Sequence, residues 1–157
     1  MKKQIFLLML LVSTSTYAQS RFSKHELSIN AFRAPSIGAE FRQNQVSIHA
    51  GYYLTAFSGV TNNFVKTGLT FWCFPVGKKY NPSSFYAGVS YLRGLDSDYK
   101  NKNAIGTEAG FRWMIWQGLN LRIGLITVAA KDKTLKLNPA GGISYSLFFN
   151  KNKKYAK

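Results

Sequence analysis

The chain is poor in acid, in cysteine and in long apolar runs. Six acidic side chains stand against 21 basic ones, for a formal net charge of +15 over 157 residues. Cys73 is the one cysteine, which excludes a disulfide framework and a cysteine-based zinc site. His25 and His49 are the two histidines, and they are too few and too far apart for a metal-ligand set. No run of 18 apolar residues is present, which excludes a transmembrane helix. No glycine-rich phosphate cradle appears, and no segment keeps a 3.6-residue period. What is plentiful is apolar: 46% of residues are hydrophobic and 15% aromatic, too many for a disordered chain. The length is that of one domain.

The first eighteen residues read as an export address. Lys2 and Lys3 give a positive start, Ile5 to Val12 an apolar core, and Thr16-Tyr17-Ala18 a small-residue cleavage site before Gln19. Residues 1–18 are therefore expected to be a cleaved signal peptide, 19–149 a single domain and 150–157 a basic tail.

Period-two alternation fills the domain. Eight segments carry it, near residues 26–31, 36–42, 46–53, 65–73, 85–91, 105–113, 119–127 and 142–149. One face reads Leu27, Ile29, Ala31, then Val46, Ile48, Ala50, then Val65, Thr67, Leu69, Phe71, and so on, without a charge. The other face carries glycine, serine and charged residues. Turn chemistry separates the segments at Ala34-Pro35-Ser36, Arg42-Gln43-Asn44, Ser58-Gly59 with Asn62-Asn63, Asn81-Pro82-Ser83-Ser84, Asp96-Ser97-Asp98, Gln117-Gly118 and Asn138-Pro139.

Alternation does not say which face is inside. Lysine placement argues for the polar face, because a water-washed outer face should be rich in lysine. Beyond the signal segment only Lys66 falls within a strand; the rest lie in loops, at a strand edge or in the tail. Charge balance agrees. Glu26, Glu40 and Glu108 share the polar face with Arg42, Lys66, Arg112 and Arg122, and a narrow lumen holds charges only as bonded pairs. Gly38, Gly51, Gly68, Gly88, Gly106, Gly110, Gly124 and Gly142 lie on that face too. Glycine weakens a strand unless space is short, and it would relieve crowding opposite Tyr53, Tyr86 or Trp72. Aromatics near strand ends, among them Tyr52, Tyr53, Phe64, Phe85, Tyr91, Trp113 and Trp116, suit interfacial girdles. The expected fold is all-β: an eight-stranded antiparallel up-and-down transmembrane β-barrel.

The whole resembles the small bacterial outer-membrane β-barrels of the OmpX and OmpA transmembrane-domain type. The resemblance spans residues 24–149 and rests on the signal segment, the eight amphipathic strands and the closing aromatic strand Ile143-Ser144-Tyr145-Ser146-Leu147-Phe148-Phe149. It departs from the family in its tail, since Asn150 to Lys157 follow the terminal phenylalanine. The resemblance implies residence in the bacterial outer membrane, a monomer, recognition by the barrel-assembly machinery and periplasmic termini. Loops near 33–35, 55–63, 93–103 and 129–138 would then face outward.

No compact catalytic motif stands out. His49 shares its face with Ser47 and Glu40, so the lipid-modifying barrels of this class are an alternative; a packed lumen histidine is the plainer reading. Asp96-Ser97-Asp98 lacks the remaining oxygens of a calcium loop. The expectation is a non-enzymatic structural or surface-interaction protein with a plugged lumen, no cofactor and no nucleic-acid partner. Its lumen network would be Glu26, Glu40, Arg42, His49, Lys66, Glu108, Arg112 and Arg122. Lys100, Lys102, Lys131, Lys133 and Lys136 would contact lipopolysaccharide phosphates from the outer loops. A secreted soluble barrel with an apolar ligand is the alternative of opposite facing.

Overall fold

A computed structural model describes residues 22–31, 37–57, 59–77 and 81–149. The expected signal peptide (1–18), the expected 33–35 loop and the expected tail (150–157) lie outside the described residues. Eight strands follow in order: β1 (His25–Ala31), β2 (Ile37–Gln43), β3 (Val46–Phe57), β4 (Val60–Val76), β5 (Ser83–Gly94), β6 (Asn103–Met114), β7 (Leu119–Ala130) and β8 (Lys136–Phe148). A 3₁₀ turn, Ser97–Tyr99, sits between β5 and β6. Each strand pairs antiparallel with the next, and β1 pairs with β8 through registers such as Ser28↔Ser146. Closure removes the open edges that an eight-stranded sheet would otherwise present.

The faces divide as the alternation indicates, with the apolar set outside. Ile48, Leu69, Val89, Ile105, Ile123 and Ile143 are exposed, while Glu26, Ser28, Glu40, Arg42, Ser47, Thr70, Ser90, Arg112 and Ser146 are buried. The outer hydroxyls find partners within the wall. Thr107 and Thr127 bond to each other at 2.6 Å, and Thr67 donates to the His49 carbonyl at 3.1 Å.

Several expected turns are strand instead. The β3–β4 hairpin runs on through Thr55↔Asn62 and Phe57↔Val60, so Asn62 and Asn63 belong to β4. Asn62 is fully buried, and its side-chain amide bonds the Val60 carbonyl at 3.0 Å. Ser83 and Ser84 open β5, and Asn138 and Pro139 lie within β8. Ladder pairing outweighs turn propensity at these sites. Pro139 pairs with Leu125 of β7, on a stretch of β8 with no second neighbour among the described residues, where a missing N–H is tolerated. A bulge between Cys73 and Pro75 puts Phe74 at φ 46° and turns it outward against Phe85.

Glycine supplies interior space. Gly110 lies opposite Tyr86, and a Cβ there would come within 2.7 Å of the Tyr86 hydroxyl. Gly38 and Gly51 face each other so closely that either Cβ would meet the other's Cα within about 3.0 Å.

Candidate functional site: the barrel interior

The interior has two storeys. At the end where β2 turns into β3 and β6 into β7, β1, β2, β6 and β7 direct Glu26, Arg42, Arg112 and Arg122 inward from alternate positions. Glu26 takes two guanidiniums: Arg112 at 2.8 Å and, on its other oxygen, Arg42. Arg122 pairs with Glu40 at 2.7 Å, and Lys66 with Glu108 at 2.6 Å. All seven expected lumen charges are thus brought together in ion pairs. Ser28 donates to Glu26 at 3.1 Å and meets Ser146 at 2.8 Å, while Ser47 donates to Glu40.

Trp72 is the hub of this storey. Its indole N–H donates to the Ser47 hydroxyl at 2.8 Å. The guanidinium carbons of Arg112, Arg122 and Arg42 lie 4.3, 5.0 and 5.6 Å from its ring centre. Phe22 covers the Arg42 guanidinium at 4.9 Å and closes this mouth. Stacked guanidiniums gain from the ring's negative face. The sequence reading placed Trp72 on the polar face without giving it this role; a large aromatic at the same parity as three arginines was the available signal.

The other storey is apolar. Tyr53, Phe64, Leu92, Tyr99, Ala104, Ile126 and Val128 form a buried cluster. Tyr53 and Phe64 are therefore plug residues, not members of an outer girdle, because the inward parity of β3 and β4 continues two residues past Gly51 and Lys66. Tyr52, Tyr91, Phe85, Trp113 and Trp116 are exposed. Tyr99 comes from the 3₁₀ turn and meets the Phe64 ring edge-on at 5.1 Å. Burial, aided by the Asp98 carboxylate, pushes its phenol above the usual tyrosine range. Asp96 accepts from the Asn63 backbone N–H at 2.9 Å and from the Asn63 side chain, tying this loop to β4. The triplet Asp96-Ser97-Asp98 is a structural turn, and no group of three or more His, Cys, Asp or Glu among the described residues could hold a metal ion.

Between the storeys lies a cavity of about 70 Å³, bordered by Glu40, His49, Lys66, Tyr86, Glu108 and Arg122. His49 does not pair with Ser47. Its Nε2 meets Ser90 Oγ at 3.1 Å and its Nδ1 meets Thr70 Oγ1 at 3.3 Å. A hydroxyl occupies the position where a nucleophile-activating histidine would carry a carboxylate, and Ser90 is buried. The arrangement satisfies the imidazole without assembling a relay.

The expected lipopolysaccharide lysines gather at the loop end. Lys100 and Lys102 follow the 3₁₀ turn, and Lys131 and Lys133 lie between β7 and β8. Lys136 is the first residue of β8 and not a loop residue. Lys133 approaches Asp98 at 3.9 Å and the Tyr99 ring at 5.7 Å, which joins the two long loops. No family model, curated protein or solved structure matches the chain.

Proposed function

We propose that the protein is an integral outer-membrane β-barrel, a monomer with a plugged lumen and a structural or surface-interaction role. The carrying observation is the facing of the closed barrel: apolar side chains without, ion-paired charge within. A soluble barrel of this composition would expose greasy strands to water and desolvate seven charges for no structural gain. Lipid removes the first cost, and pairing offsets the second. Strands of 12 residues, such as β3, β5, β6 and β7, rise about 3.3 Å each and suffice when tilted for a band of about 25 Å. Tyr91 and Arg93 both bond Asn103 Oδ1, at 2.8 and 2.6 Å, as polar tips at a band edge do.

The role is non-enzymatic, since His49 is satisfied by hydroxyls inside the wall, and no pore is formed, since both storeys are filled. Export would use residues 1–18, and insertion the barrel-assembly machinery. Lys100, Lys102, Lys131, Lys133 and Lys136 form a cationic rim for lipopolysaccharide phosphates.

Gel mobility before and after boiling, with alkaline extraction of membranes, tests the reading. A heat-dependent shift and retention in the membrane are expected. No shift, with release into the soluble fraction, overturns it. Changing the five rim lysines to glutamine should lower co-purifying lipopolysaccharide; an unchanged amount removes the rim assignment alone.

A further inference from the structure

Among the described residues the lumen charges do not balance. Lys66 and Glu108 neutralise each other, which leaves three guanidiniums, Arg42, Arg112 and Arg122, against two carboxylates, Glu26 and Glu40. One positive charge is in excess, and the Arg42 and Arg112 side chains are 2% and 1% exposed. Uncompensated charge buried to this depth is costly.

Hydrogen bonding points the same way. Among the described residues, Nε and one terminal nitrogen of each arginine meet no protein acceptor: Nη1 of Arg42, Nη2 of Arg112 and Nη2 of Arg122. The Trp72 ring attracts the guanidinium charge but is no substitute for an anionic partner. The third observation is room. The cavity of about 70 Å³ borders Arg122 and can hold one small ion together with water. The two carboxylates on its wall, Glu40 and Glu108, are already taken by Arg122 and Lys66.

We infer that the barrel binds one small monovalent anion of chloride size in its lumen, on the Arg122 flank of the cavity. The anion completes the charge balance and accepts from the Nε–H and Nη2–H groups of Arg122, the arginine that borders the cavity. The site goes beyond the membrane reading and does not depend on it, because it needs only the interior.

The test is urea unfolding of the folded barrel in detergent, in sodium chloride and in sodium gluconate at matched ionic strength. Matching removes general screening. Chloride should stabilise saturably, with the unfolding equilibrium constant falling about tenfold once chloride reaches ten times its dissociation constant. Arg42→Gln leaves two guanidiniums facing two carboxylates, so its curves in the two salts should coincide. Arg42→Lys keeps the charge and should keep the dependence. Coinciding curves for the parent protein, or a chloride effect undiminished in Arg42→Gln, would overturn the inference. Should Arg42→Gln not fold, bromide soaked into crystals of the parent decides. Anomalous density beside Arg122 supports the site, and density confined to surface lysines refutes it.

Discussion

Adding one methyl group at Gly110 should destabilise the barrel, while adding one at Gly141 should not. A Cβ at position 110 would lie 2.4 Å from the Ile123 carbonyl oxygen, 2.8 Å from the Gly124 Cα and 2.7 Å from the Tyr86 hydroxyl. Two of these are backbone atoms of the paired strand, so no rotamer change relieves the contact. Overpacking of this kind costs about 1–3 kcal/mol, offset by the roughly 0.5–1 kcal/mol that glycine forfeits to alanine in a strand. Gly110→Ala should therefore lose about 1–2 kcal/mol. At Gly141 the nearest atom is the Arg122 carbonyl oxygen at 3.8 Å. Only the backbone gain remains there, and Gly141→Ala should gain about 0.5 kcal/mol. A gap near 2 kcal/mol between the variants is about 30-fold in the unfolding equilibrium. Urea titration of both in the same micelle reads it directly. Equal stabilities, or two stabilising substitutions, would refute the β6–β7 register and the fit of Tyr86 between those strands.

Three further outcomes follow from the same geometry. Glu26→Gln strands two guanidiniums and should cost about 3–5 kcal/mol by urea unfolding; Glu108→Gln, whose ion pair is 11–13% exposed, should cost less. Leu69→Arg puts a charge in the middle of the outer face and should cost about 2–4 kcal/mol in a bilayer, measured by unfolding from vesicles. Asp96→Ala removes the acceptor of the Asn63 N–H, so exchange of that amide should accelerate while global stability changes little.

The barrel was legible because two periodicities coincide in the chain. Residues such as Ile48, Leu69 and Val89 alternate with Ser47, Thr70 and Ser90, and charge falls on the second set except for Arg93 at the end of β5. That parity placed Glu26, Arg42, Arg112 and Arg122 inside together. The reading failed where local propensity opposed the ladder: Asn62-Asn63, Ser83-Ser84 and Asn138-Pro139 look like turns but continue hairpin ladders, opposite Thr55 and Leu54, Val76 and Pro75, and Ile126 and Leu125. It also missed the apolar plug. Tyr53, Phe64 and Leu92 carry the inward parity, yet their chemistry matches the outer face. The pairing of His49 with Ser90 runs across Gly68, which stands between them in the β3–β4–β5 register, and this follows from strand pairing that residue spacing alone does not encode.

The central claim is that the apolar face meets lipid. A nitroxide at Val89, in a Cys73→Ser background, samples the middle of β5 on that face. Oxygen and a water-soluble nickel complex are the two relaxing agents. In reconstituted vesicles the label should be relaxed strongly by oxygen and weakly by nickel. Relaxation by nickel at the level of a loop position would place the face in water and contradict the account.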